Sequence, residues 1–197
     1  MLKVGLTGGI GCGKSTASTV MAELGSYIFE ADDEAKKMIT ENSTVQSELI
    51  FEFGTDIMGA GNVMDLQKLG RIALQDEDHQ MRLNSVVHPY IYNLIDDQFN
   101  KISEKNKHSM FVVDAALIYE SGYDQHLDYV IVITALMKNR MERTIARGTL
   151  TRQQILKRID LQWSEEEKTG LADFVIHNDG TEEDLQKEIK EIYNRIV

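Results

Sequence analysis

The residues best able to do chemistry lie close to the amino terminus. Gly8-Gly9-Ile10-Gly11-Cys12-Gly13-Lys14-Ser15, followed by Thr16, satisfies the spacing G-x-x-x-x-G-K-[ST]. In that pattern glycines let backbone N–H groups turn inward around a phosphate, and a helix opening near Gly13 adds the positive end of its dipole. Lys14 has the reach for β- and γ-phosphates, and the Ser15 hydroxyl can ligate Mg²⁺. Gly11, Cys12, Gly13, Lys14, Ser15 and Thr16 are therefore read as a nucleoside triphosphate cradle. The guanine-specifying Asn-Lys-x-Asp pattern is absent, which weighs against a GTP switch.

A second concentration of chemistry is cationic. Between Lys138 and Arg158 the chain carries Lys138, Arg140, Arg143, Arg147, Arg152, Lys157 and Arg158 against a single acid, Glu142. Arg140, Arg143 and Arg147 recur at steps of three and four, so they share one helical face and can converge on transferring phosphates. Gly148 reads either as the pivot of a lid or as a plain helix end. The carboxylates that could serve an acceptor are Asp32 and Asp33, which follow a strand-like run at Tyr27–Phe29. Parallel strands present their carboxyl ends to the ligand crevice, so one of these acids can meet an acceptor hydroxyl; the competing reading is that they cap a helix over Glu34–Thr40. Asp114 ends another strand-like run, where a carboxylate can hold Mg²⁺ through water.

Something must position these groups, and the rest of the chain supplies it. The 197 residues are 42% hydrophobic and 27% charged, a globular balance in which a single core buries roughly 70% of the unfolded surface. A net charge of −11 argues against broad binding to nucleic acid or an anionic membrane. Cys12 is the only cysteine, no Cys/His spacing suggests zinc, and the chain opens on a strand-like run without signal-peptide character. A cytoplasmic setting is expected.

Short β-like runs at Leu2–Thr7, Tyr27–Phe29, Met110–Asp114, Tyr129–Thr134 and Phe174–His177 alternate with helical segments. That alternation predicts an α/β fold with a parallel sheet of about five strands flanked by helices. Thr151 and Thr181 open helices with capping signals. The stretch from about Ser43 to Lys101 has no obvious strand and is expected to be a helical insertion on the acceptor side, with Pro89 ending or kinking a helix. One P-loop domain is anticipated: a core over about 1–42 and 108–197, an insertion over about 43–107 and an arginine-rich lid over about 138–163.

Nearly the whole chain resembles the dephospho-coenzyme A kinase family. The resemblance is carried by Leu6-Thr7-Gly8-Gly9-Ile10-Gly11, by Glu30-Ala31-Asp32 and by Val87-His88-Pro89. It continues through Asp114 to Leu117-Ile118-Tyr119-Glu120-Ser121-Gly122, Arg143-Thr144-Ile145-Ala146-Arg147 and Ala172-Asp173-Phe174-Val175-Ile176 to Asn178-Asp179-Gly180. It implies a P-loop kinase that transfers the ATP γ-phosphate to the ribose 3′-hydroxyl of dephospho-coenzyme A, with Mg²⁺. It also implies roles: Asp32 as base or orienting group, with Lys14, Arg143 and Arg147 on the transferring phosphoryl group. Arg140 and Asn178 go to ATP, His88, Leu117 and Glu120 to the acceptor, and Ser15 and Asp114 to the metal. The chain departs from the family pattern at Glu30, Leu66, Ala116 and His177. A kinase of another nucleotide or nucleoside, and a nucleotide-gated binding module, are the alternative readings. Trp163 is expected to pack the lid helix, and Cys12 to be a small residue that fits its loop.

Overall fold

The computed structural model describes residues 1–197. Its centre is a parallel sheet of β1 (Leu2–Thr7), β2 (Tyr27–Glu30), β3 (Met110–Asp114), β4 (Tyr129–Thr134) and β5 (Phe174–His177). The strand order is β2-β3-β1-β4-β5. Val112, Ile131 and Ile133 are fully buried because both faces of these strands are covered. On one face α1 (Lys14–Glu23) and α9 (Glu182–Ile196) lay Ala17, Val20 and Met21 and Leu185, Ile189 and Ile192 against Val4, Leu6, Met110 and Ile176. At the β2 edge Phe111 stacks on Tyr27 with ring centroids 5.2 Å apart and meets Phe99 edge-on at 5.5 Å. Thr181 caps α9 through a reciprocal box with Asp184.

The chain divides into two compact units, Met1–Glu30 with Asp96–Val197, and Ala31–Ile95. The first holds the sheet, α1, α9 and the segment α6 (Met137–Ala146), α7 (Arg152–Asp160) and α8 (Glu165–Leu171). α7 and α8 each begin with a capping box, at Thr151 with Gln154 and at Ser164 with Glu167.

The second unit is helical, built from α2 (Ala31–Glu41), α3 (Ser43–Phe53), α4 (Leu66–Ala73) and the start of α5 (Glu77–Ser103), with one isolated antiparallel bridge between Met58 and Met64. Asn42 caps α3 and Asp65 caps α4 through side-chain oxygens that accept first-turn amides. Two sequence expectations change here. α2 starts directly after β2, so Asp32 and Asp33 sit inside its first turn rather than capping a helix at Glu34. Nor does Pro89 end a helix, because α5 runs through it for 27 residues. Proline removes one hydrogen bond, but the rest of so long a helix and the buried Val87, Ile91 and Ile95 beside it hold the segment.

Candidate functional site

The cradle forms where β1 runs into α1. Gly13 occupies the N-cap of α1 with φ 102°, and no side chain caps the first-turn amides. A side chain at Gly13 would be strained in that left-handed conformation and would collide with the amide of Asn178. Amides left without a side-chain cap at a helix N-terminus are the groups that receive an anion. Ser15 is exposed in that first turn.

Asp114, at the carboxyl end of β3, holds the cradle from below. Its Oδ1 receives Lys14 Nζ, and its Oδ2 receives the Ser18 hydroxyl at 2.5 Å. The side chain of Asp114 is only 8% exposed, so its oxygens are satisfied by these partners rather than by bulk water. Ser18 was not singled out in the sequence. The available signal is its spacing four residues beyond Lys14, which puts both on one face of α1. Glu30, the last residue of β2, lies in register with Asp114.

One further sequence-predicted residue, Asn178, bonds the loop itself. The Asn178 side-chain amide donates to the Cys12 carbonyl at 2.8 Å, so the turn after β5 grips the loop just before Gly13. Asp179 accepts the Leu136 amide at 2.7 Å and the Asn139 side-chain amide at 2.9 Å at the start of α6. The Cys12 thiol is buried, and desolvation raises its pKa to about 11 despite the adjacent helix N-terminus. Burial thus outweighs the helix end and leaves a neutral, unreactive thiol.

On α6 the three arginines divide. Arg140 is 3% exposed and engaged by protein groups, Arg143 has a buried Nη1 with no hydrogen-bond partner, and Arg147 is exposed at the C-cap. A buried guanidinium nitrogen without a partner is costly in the absence of an anionic ligand. Gly148 takes φ 68° and its amide donates to the Ile145 carbonyl at 3.0 Å, an ordinary left-handed helix stop.

The segment after β3 is fixed by a group that sequence reasoning missed. Lys168, with no exposed side-chain surface, pairs with Glu120 Oε1 at 2.7 Å and donates to the Ala116 carbonyl at 3.0 Å. Thr7 Oγ1 donates to the same carbonyl, and the Trp163 amide donates to Glu120 Oε1 at 2.9 Å. Ala116 contributes only its carbonyl to these contacts, a group that proline also has. Glu120 Oε2 remains buried without a partner, and Leu117 is partly buried with its carbonyl engaged by Ser121. Trp163 stacks on Tyr119, with rings 6.4 Å apart and 5° from parallel. Burial raises the Tyr119 hydroxyl to about 12.

In the second unit, Asp32 is exposed in the first turn of α2, and neighbouring Asp33 pairs with Lys36 at 2.5 Å. His88 stacks on Tyr92 at 5.7 Å within α5, and desolvation lowers its pKa to about 4. At neutral pH it is an uncharged imidazole, able to exchange hydrogen bonds but not to supply positive charge. Leu66 opens α4 as a partly exposed apolar residue.

A family model described as dephospho-CoA kinase matches residues 2–184. A dephospho-CoA kinase of Fusobacterium nucleatum is 35% identical over 187 residues, covering 95% of this chain and 94% of the relative. One from Corynebacterium glutamicum is 33% identical over 196 residues, with full coverage of both chains. Among solved structures, a dephospho-CoA kinase from Campylobacter jejuni is similar with a TM-score of 0.70 at 29% identity. That likeness covers 98% of this chain and 96% of the other.

Proposed function

The chain belongs to the dephospho-CoA kinase family, and from that membership we infer that it transfers the ATP γ-phosphoryl group to dephospho-coenzyme A, giving coenzyme A. The observation that carries the chemistry is the glycine cradle with Lys14 paired to Asp114 at the carboxyl ends of β1 and β3. Such a lysine exchanges its carboxylate for the β- and γ-phosphates when nucleotide enters, while backbone amides hold the same oxygens. Arg143, with a buried donor in need of an acceptor, and Arg147 offset charge on the equatorial oxygens of the moving group. Asp32 orients the ribose 3′-hydroxyl and takes its proton as the new O–P bond forms and ADP leaves. His88, Leu117 and Glu120 are assigned to the acceptor, Glu120 through its unengaged Oε2. Cys12 and Thr16 belong to the nucleotide side with Gly11 and Ser15, and Asn178 serves it by holding the loop.

The residues present fit a divalent metal that travels with ATP. Ser15 and Asp114 offer hard oxygen donors, and no group of three or more His, Cys, Asp or Glu is gathered for an all-protein cage. That suits Mg²⁺, which keeps several waters and takes few protein oxygens beside phosphate. When bound, the metal would offset the negative charge of the nucleotide phosphates. No helix is long and apolar enough to cross a membrane; the cytoplasm is the proposed setting.

The test is ADP formation from ATP and Mg²⁺ with and without dephospho-coenzyme A, with the product weighed by mass spectrometry. Stimulation together with one added phosphoryl group on the acceptor is expected. Retained ATP binding with no stimulation would move the acceptor assignment elsewhere.

A further inference from the structure

Ile10 sits at the crest of the phosphate loop, and both of its peptide groups are fastened by side chains from outside the loop. Its carbonyl accepts Arg140 Nε at 3.0 Å. Its N–H donates to Gln162 Oε1 at 3.3 Å. Arg140 is in turn held by Glu165, Nη1 to Oε1 at 2.8 Å, with both side chains largely buried at 4% and 25% exposure. The approach is so close that a Cβ on Gly9 would overlap both the Arg140 guanidinium and the Glu165 carboxylate. A Cβ on Gly11 would press on the Arg140 carbonyl and the Thr144 hydroxyl, so the body of α6 also lies against the loop.

This arrangement bears on what Arg140 does. The Glu165 carboxylate offsets part of the guanidinium charge, and the Arg140 side chain, unlike that of Lys14, also bonds the backbone of the loop and is only 4% exposed. Its rigid fork is committed in two directions, one toward Glu165 and one toward a backbone carbonyl of the cradle. Arg143, by contrast, keeps a buried donor open. We infer that Arg140 is a positioning residue: with Glu165 and Gln162 it fixes the Gly9–Ile10 segment of the cradle, and it supports nucleotide binding through that backbone instead of bonding to phosphate. The inference rests on the cradle taking ATP.

The two roles predict opposite signs for Glu165. If Glu165 anchors a clasp, Glu165→Ala weakens ATP binding; if it only restrains an arginine that would otherwise reach phosphate, the same change strengthens binding or leaves it alone. Calorimetric affinities for ATP and adenosine are to be measured on the full chain and on Arg140→Met, Glu165→Ala and Arg140→Lys. The variant Arg140→Met/Glu165→Met is included because it replaces the buried pair with apolar groups and protects the fold. The expected result is a loss of about tenfold in ATP affinity for Arg140→Met and for Glu165→Ala, the scale of one hydrogen bond to a charged group. The double variant should lose no more than either single one, and Arg140→Lys should recover part of the loss. Adenosine affinity should hold, and in turnover the effect should fall on KM for ATP more than on kcat. Normal or tighter ATP binding in Glu165→Ala, or equal losses for ATP and adenosine, would overturn the inference. Failure of the unmodified chain to bind ATP would instead remove the kinase reading, before any variant is compared.

Discussion

Replacing Lys168 by methionine removes the cation from a buried pair while preserving most of its volume. The ammonium has no exposed side-chain surface, and Glu120 has only 9%. Glu120 would keep the Trp163 amide as a donor but lose its counter-ion, and the Ala116 carbonyl would lose one of two donors. Breaking a buried pair from one side costs about 3–5 kcal/mol, since the surviving charge stays out of water. For a chain of this size that corresponds to a fall in Tm of roughly 6–20 °C. Denaturant melts followed by circular dichroism read the free-energy change directly. The partner variant Lys168→Met/Glu120→Gln removes both charges and should recover most of the loss, because neutral, well-packed replacements of a buried pair are often tolerated. A loss below about 1 kcal/mol in the single variant, or no recovery in the double, would show that the pair is not what holds the segment after β3.

Asp32→Asn should cut turnover by at least ~100-fold while ATP still binds, as removal of a general base does; near-normal turnover measured by coupled ADP release would remove Asp32 from the mechanism. His88, with its folded pKa lowered to about 4, binds its proton more readily when unfolded. It therefore contributes stability that is present above about pH 6.5 and is lost as pH falls toward 4, by an amount of order 3 kcal/mol. His88→Gln should flatten that part of the stability profile, and an unchanged slope in pH-dependent urea melts would contradict it. Cys12, raised to about 11 and buried, should react with iodoacetamide at pH 8 on the order of 100-fold more slowly than an exposed cysteine. Labelling at a free-peptide rate by mass spectrometry would refute the burial argument.

Much of the first unit was legible in the chain because its elements announce themselves locally. β1, β3, β4 and β5 have the expected bounds, since their apolar runs stop abruptly at Thr7, Asp114, Thr134 and His177, and β2 gains only Glu30. The phosphate loop was also readable, because its glycines, Lys14 and Ser15 obey a fixed spacing. The ties that lock the site were not. Lys168 with Glu120, Arg140 with Glu165 and Ile10, and Asn178 with Cys12 join residues far apart in sequence, and no periodicity relates them. Lys168 in particular sits in an acid-rich stretch, Glu165-Glu166-Glu167-Lys168, that reads as a solvated helix end until the fold buries it. The start of α2 was misjudged because Asp32 and Asp33 favour an N-cap and a first helical turn alike.

The place of β1 in the sheet has a consequence during synthesis. It precedes the other four strands of the sheet in the chain, yet it ends as the central one, with Leu2 in register with Met110 and Val4 with Tyr129. Its partners follow roughly a hundred residues later, on the order of 5–20 s at ordinary elongation rates. Throughout that interval Leu2-Lys3-Val4-Gly5-Leu6 is an apolar segment with both edges unpaired, and Lys3 is its only charge. A lysine in such a segment discourages pairing between nascent chains. In the finished protein the same side chain is 13% exposed and bonded to Asp96 at 2.7 Å, while Asp128 accepts its backbone amide. The same lysine is thus suited to both stages: its charge opposes pairing of the waiting strand with copies of itself, and in the finished sheet it is bonded to Asp96.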